Sequence, residues 1–461
     1  MDSHKINRRA FVGTLAAGAF AAGLGQRSIF AVGGGGQRRI ASFVCDVTPP
    51  LGTPIYSSMQ PLEVIEHPLL AKGIVLEDSG GRSVLCAIDY CLVRNSLYDL
   101  YRKEIAEAAG TSIDRVAVHT VHQHTAPLAD SDAQRLLEGA GEPVPGPSVE
   151  SFEAPAGIMA AAVKEALTDL QPYDSLGTSM AKVERVASNR RVPIGEGKVG
   201  FRASSCKDPE LIEKPEGLID PMLKTVTFAF EGKPLVQLHY YATHPQSFYG
   251  DPRATYDFVG MARERLEKES GVPQIYFTGC EGDVAAGKYN DASKEAREGL
   301  YERLYAAMKS ASNSPHYRPA QDAIWRTVPL RLAPRNDESY NEAHCRSLLA
   351  NVEQPALARI SAAMYVAWLE RNHRPLDLTL MRLGDLVFVH LPGEPMVEFQ
   401  LYAQSLLPHD FVAVAALGDG APAYICPDRV YEEGGYESRA SHSAPGADVL
   451  FRDAIKKLLV G

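Results

Sequence analysis

Three times along this chain an apolar run that reads as a strand stops at a short break carrying a group able to bind a metal ion. The first run, Arg115-Val116-Ala117-Val118, is β-branched and alternating, and it leads into His119-Thr120-Val121-His122-Gln123-His124-Thr125-Ala126-Pro127. A spacing of two puts His122 and His124 on one face of an extended chain and His119 on the other. The second run, Pro234-Leu235-Val236-Gln237-Leu238, closes on His239-Tyr240-Tyr241-Ala242-Thr243-His244-Pro245. The third, Leu386 to Val389, breaks at His390-Leu391-Pro392-Gly393-Glu394-Pro395 and presents a carboxylate. Any one such exit is ordinary. Three together predict strands that end at one shared pocket, because a catalytic metal needs about three or four protein donors and an open position.

The remaining periodicity is mixed. Strand-like runs fall at 40–45, 73–76, 83–88, 115–120, 223–230, 235–240, 274–277, 324–332, 378–382 and 412–416. Helical spacing of apolar residues falls at 97–109, 156–170, 258–268, 293–308, 341–349, 357–369 and 448–459. Residues 139–151 and 195–217 read as loop-rich, and neither makes a convincing linker. No repeat occurs. The expectation is an α/β fold, mixed sheets with packed helices, forming one large domain with insertions.

Two features bear on where the chain works. Asn7-Arg8-Arg9-Ala10-Phe11 precedes a mild, Ala- and Gly-rich run, the pattern of a bacterial twin-arginine export signal. Residues 1–36 are expected to be that signal with its Gly33–Gly36 spacer, residues 37–461 the functional domain, and the location periplasmic or secreted. The body has no apolar stretch long enough to span a bilayer. A formal net charge of −10 disfavours a nucleic-acid partner. Seven cysteines without a Cys-x-x-Cys spacing read mostly as small buried hydrophobes, with at most one or two disulfides.

Seven segments occur in an order that resembles the neutral/alkaline, non-lysosomal ceramidase family. They are Asp46-Val47-Thr48-Pro49-Pro50-Leu51-Gly52, residues 120–127, Asn189-Arg190-Arg191, residues 242–245, residues 277–284, Pro392-Gly393-Glu394, and residues 424–437. The resemblance spans about residues 40 to 460 and implies a zinc hydrolase domain that cleaves an N-acyl amide; the immunoglobulin-like C-terminal domain of that family is expected to be absent. It implies His122, His244, Glu394 and Tyr424 as Zn²⁺ ligands. It also implies His124 as a pocket residue suited to proton transfer, and Arg190 with Tyr436 as the pair that stabilises the substrate carbonyl as it becomes an oxyanion. Asp283 is expected to orient a histidine behind the metal, while His119 and His239 are expected in the core or behind the ligands.

The chain departs from the family pattern where Gln-Ser-Asn-x-Gly-Asp-Val becomes Thr278-Gly279-Cys280-Glu281-Gly282-Asp283-Val284. The serine position is Gly279, which is expected to widen the pocket and remove a hydroxyl. Cys280 is adjacent rather than aligned and reads as a buried thiol. The substrate is therefore left open among a lipid or other N-acyl amide, an acetylated sugar, an ester and a glycan. A non-catalytic metal- or ligand-binding protein of the cell envelope is the alternative of a different class.

Overall fold

The structure, a computed structural model, describes residues 37–55, 60–141, 144 and 146–461. The twin-arginine segment lies outside the described residues. Among those described, three larger sheets carry the architecture. The first runs, in spatial order, Val116–Thr120, Gly81–Ile88, Leu70–Asp78, Arg39–Asp46 and Gln171–Pro172. The second runs Gln274–Thr278, Lys233–Tyr241, Met222–Phe230, Ser175–Lys182 and His316–Pro319, and the third Ile324–Leu330, Leu376–Leu383, Leu386–His390 and Phe411–Ala415.

Each sheet is an antiparallel meander with one parallel pair at an edge. In the first, Gly81–Ile88 lies parallel to Val116–Thr120, ending on Ile88 opposite Thr120. In the second, Lys233–Tyr241 lies parallel to Gln274–Thr278. In the third, Leu386–His390 lies parallel to Phe411–Ala415. The carboxyl ends of these pairs meet. Ala416 N donates to Thr278 O (2.9 Å), Thr120 N to Leu417 O (3.0 Å) and Thr278 Oγ1 to Val121 O (2.7 Å). Open α/β sheets bind ligands just beyond the carboxyl ends of parallel strands, and here three such ends meet.

A core of aromatic and aliphatic side chains, among them Leu85, Phe228, Phe277 and Phe388, joins the three sheets. Helices Asn95–Ala109 and Val149–Ala166 cover the first sheet, and Glu342–Ala350, Ala356–Arg371 and Ala447–Val460 cover the third. All the expected strands and helices form, with ends shifted by a few residues. The larger differences have local causes. The helix expected from residue 156 begins at Val149, because Ser148 caps it by accepting from Ser151 N, and Pro155 is carried inside. The strand Ser175–Lys182 (sequence SLGTSMAK) has little β-propensity of its own, yet it pairs along its whole length with Met222–Phe230; tertiary pairing overrides propensity. The stretch 195–217, read as loop, contributes Lys198–Phe201 to a hairpin with Arg191–Gly195. All seven cysteines are free, and six are buried. No helix of the described residues is long and apolar enough to cross a membrane.

Candidate metal centre

Every donor expected from the sequence sits on a break segment just past a sheet end, and three of those breaks use left-handed backbone. His122 itself has φ +80°, Gly393 before Glu394 has φ +68°, and Ala423 before Tyr424 has φ +53°. Side chains other than glycine's tolerate this region poorly, and such conformations persist where surrounding contacts over-determine them. Those contacts are present. His122 N donates to Tyr90 O (2.8 Å) and Val121 N to Ile88 O (2.8 Å). Glu394 and Tyr424 face each other in a short parallel ladder, closed by Glu394 N on Ala423 O (2.9 Å). Arg190 N donates to Asp283 O (2.7 Å), and His244 N to Val284 O (2.9 Å), so one loop positions both residues.

The side chains converge. His122 Nε2 stands 3.5 Å from Glu394 Oε2 and 3.3 Å from His124 Nε2. His244 Nε2 stands 4.0 Å from Glu394 Oε2 and 3.5 Å from Tyr424 Oη. Donors about 2.0–2.2 Å from a tetrahedral ion are themselves roughly 3.3–3.6 Å apart, so two of the three spacings among the four expected ligands match a shared ion. The tautomers agree. His122 Nδ1 lies 2.7 Å from Cys91 O, and His244 Nδ1 lies 3.0 Å from the carbonyls of Glu281 and Val284. A carbonyl only accepts, so both Nδ1 atoms carry the proton and both Nε2 atoms present bare lone pairs to the centre, as a metal-ligating histidine does.

Electrostatics point the same way. Burial holds the pKa values of His122, His124 and His244 below the ordinary imidazole value, with the neighbouring Arg190 adding to the effect in each. The rings are neutral ligands in waiting. Glu394 Oε2 is buried with no hydrogen-bond partner. A cluster of lone pairs and unpaired carboxylate oxygens is costly without a cation, and the donor set of imidazoles and hard oxygens suits a divalent ion such as Zn²⁺. Arg190 is buried beside the donors. Its terminal nitrogens stand 3.2 Å from Tyr424 Oη, 3.4 Å from His244 Nε2 and 3.3 Å from Glu437 Oε1.

The open side is marked by His124, which is half-buried, and Tyr436, which keeps 38% of its surface exposed. The Tyr436 ring packs 5.6 Å from Tyr424 and 5.5 Å from Phe201, itself 42% exposed. Six of the eight expected site residues thus gather at one point, and Tyr436 forms its rim. The exception is Asp283, and here the structure corrects the expectation. Its Oδ1 accepts from Val397 N (2.8 Å) and its Oδ2 from Asn189 Nδ2 (2.7 Å). Both oxygens are spent on anchoring the segment beside Arg190 and on the first turn of helix Val397–Leu406, where a negative charge is favourable; among the described residues no hydrogen bond joins Asp283 to a histidine. His119 and His239 lie in the core, as expected. His119 bonds His390, and His239 bonds Thr225 and Gln274.

Gly279 is a second correction. A Cβ there would sit 2.3 Å from Gln400 Oε1 and 3.1 Å from the Ala242 Cβ. The glycine therefore does not widen the pocket. Its space is taken by Gln400, which accepts from Cys280 N (2.9 Å). The same loop supplies a residue that the sequence reading passed over. Glu281 is fully buried, and one ligand atom from each of His122, His244, Glu281 and Glu394 falls within 4.8 Å of all the others. The signal was available, since Gln274–Thr278 is a fourth apolar strand that breaks at a polar donor. A second grouping, Cys91 with His122 and His124, is poorer. Burial holds the Cys91 thiol well above its ordinary pKa, and its nearest imidazole nitrogen, His122 Nδ1 at 3.9 Å, already carries a proton.

Fold and site together define an α/β protein with a buried histidine–carboxylate cluster able to hold a metal ion. The same fold occurs in the neutral ceramidase of Pseudomonas aeruginosa, with a TM-score of 0.65 and 16% identity over 92% of this chain and 74% of that one. A ceramidase complexed with C2 matches with a TM-score of 0.67 and 16% identity, covering 92% of this chain and 75% of that one. No protein-family model matches the chain, and no curated protein matches it.

Proposed function

We propose that this chain is a zinc-dependent hydrolase of N-acyl amide bonds, related in chemistry to the ceramidases whose fold it shares. One observation carries the reading: two Nε2 lone pairs and an unpartnered Glu394 oxygen converge beside Tyr424 and Arg190, with an opening at His124 and Tyr436. His122, His244, Glu394 and Tyr424 would hold the ion. When bound, zinc supplies Lewis acidity, polarising a carbonyl oxygen and lowering the pKa of water towards about 7.

The chain's own groups do the rest. Arg190 and Tyr436 stand where negative charge grows on the carbonyl oxygen as water adds to its carbon. His124, neutral and half-buried, accepts a proton on its imidazole as water attacks and passes it to the departing nitrogen as the C–N bond breaks. The exposed Phe201 and Tyr436 offer an aromatic rim suited to an apolar acyl chain or the face of a sugar. With no serine hydroxyl at Gly279, long-chain ceramide would lose a hydrogen bond that the family pattern supplies and is disfavoured, since an unmet hydrogen bond costs ~1–3 kcal/mol. The domain reading belongs to the same proposal: residues 1–36 direct export, and residues 37–461 form the enzyme.

The test is a turnover screen of the zinc-loaded protein on short N-acyl amides, long-chain ceramide, acetylated sugars and aryl esters. Cleavage of short N-acyl amides at least roughly tenfold faster than ceramide is expected. Turnover of none of them by a protein holding stoichiometric zinc would overturn the hydrolase reading in favour of a binding protein. For export, Arg8→Lys with Arg9→Lys should leave the precursor in the cytoplasm; unimpaired export of that double variant would refute the twin-arginine route.

A further inference from the structure

We propose that Glu281 is a fifth protein donor of the metal centre, making it a two-histidine, two-carboxylate, one-tyrosine site. This rests on the metal reading above and goes beyond the four ligands that the family resemblance implies, because it uses the position that the family pattern leaves variable.

Glu281 sits at the centre of a loop clamped from several sides. Cys280 N is held by Gln400 Oε1 (2.9 Å), Gly282 N by Pro395 O (3.0 Å), and Val284 N donates to Glu281 O (2.7 Å). The Glu281 carbonyl also accepts from His244 Nδ1 (3.0 Å), so this residue steadies one ligand from behind while its side chain reaches the front of the cluster. The backbone leaves the carboxylate little freedom. Both of its oxygens are buried and meet no hydrogen-bond donor outside the residue itself. A carboxylate oxygen of Glu281 lies within 4.8 Å of ligand atoms of His122, His244 and Glu394.

Both Glu281 carboxylate oxygens are buried without a donor from another residue, and a second carboxylate, Glu394, lies in the same cluster. Two other buried carboxylates show what full satisfaction looks like: Asp89 is met by Arg263 at 2.8 and 2.9 Å, and Asp257 by Ser247 and Phe258 N. Buried charges are paired or coordinate metals, and only the second choice is open to Glu281. A divalent ion also needs the charge, since two carboxylates balance it while Arg190 is committed to Tyr424 and Glu437.

The experiment uses the chelator-stripped full chain with Zn²⁺ and Co²⁺ alone. Glu281→Gln keeps the volume and removes the charge. It should weaken Zn²⁺ binding by at least about tenfold and alter the visible spectrum of the cobalt form, while Tm of the metal-free variant matches or exceeds that of metal-free wild type. Wild-type affinity and an unchanged cobalt spectrum in Glu281→Gln would overturn the inference. A crystal of the unaltered protein soaked in Zn²⁺ decides independently of any variant's folding. A Glu281 oxygen about 2.0–2.2 Å from the ion is expected, and an ion bound by the other four residues with Glu281 turned away overturns the fifth donor alone. His244→Ala serves as the control; if wild type and His244→Ala both fail to take up metal, the parent reading falls as well.

Discussion

Two pairs of buried imidazoles lie close together at the end of the first sheet, and only one of them is a candidate for chemistry. His122 and His244 meet edge to face with centroids 4.8 Å apart, their Nε2 atoms bare and a carboxylate oxygen 3.5 and 4.0 Å away. His119 and His390 stack with centroids 5.0 Å apart, and Trp325 stacks on His390 in turn. In that second pair, His119 Nδ1 donates to Ala416 O (2.6 Å) and His119 Nε2 accepts from His390 Nδ1 (2.9 Å). Both His119 nitrogens are used, and the lone pair left on His390 Nε2 has no hydrogen-bond partner and belongs to no metal-competent cluster among the described residues. Burial and ring proximity are common to both; what separates them is where the protons point and whether unpaired oxygens face the nitrogens. A histidine cluster in a sequence becomes a metal centre only through its neighbours' hydrogen bonds.

That contrast is sharpest under mutation. Glu394→Ala should remove zinc and lower turnover by about 10³-fold or more, since the loss of several kcal/mol of Lewis-acid stabilisation is at stake. His390→Leu should leave zinc content within about twofold of wild type, being outside the cluster. Metal analysis of both proteins checks this, and zinc loss in His390→Leu would erase the distinction between the pairs.

Next in size are the groups that face the substrate. Arg190→Ala and Tyr436→Phe should each lower kcat by ~10²-fold or more, as removal of an oxyanion donor does, with zinc still bound. Equal kcat in either variant would remove that residue from the mechanism. Loss of zinc in Arg190→Ala would instead mean that its contacts to Tyr424 and His244 are what hold the ligands.

A separate expected effect concerns stability in acid. Burial lowers the His119 pKa to about 4, whereas an unfolded histidine titrates near 6.5. Between these values the unfolded chain takes up a proton that the folded chain refuses, so stability rises with pH. His119 therefore costs nothing above about pH 6.5, and about 3 kcal/mol is lost as the pH falls to 4. Denaturant titrations of the zinc-free protein across that window should show a shallower acid loss in His119→Gln. An unchanged slope would mean that other groups carry the acid sensitivity.

Much of this was legible in the chain because strand exits are local. Runs such as 235–240 with His244, or 386–389 with Glu394, advertise both the strand and the donor that follows. What was hidden depends on contacts between distant segments. The helix Val397–Leu406 receives Asp283, far back in the chain, at its first turn, so Asp283 could be read as catalytic when its work is to anchor. Gly279 looked like an opened pocket because nothing in the sequence says that Gln400 fills that space. Glu281 was passed over because the family pattern treats its position as variable, although its strand, break and carboxylate repeat the anatomy of the other exits.

The meeting of three sheet ends also dictates a sequence of events during folding. His122 belongs to the first sheet, His244 and Glu281 to the second, and Glu394 and Tyr424 to segments beyond the third. Thr278, Leu417 and Thr120 stitch those ends together through hydrogen bonds between sheets, not within one. A half-built molecule with one finished sheet therefore owns at most two of the donors, and such long-range contacts form late because loop closure precedes them. An ion held there would not act as a nucleus around which the chain gathers. It would close a junction already made, and the free energy of that closure would belong to the whole domain.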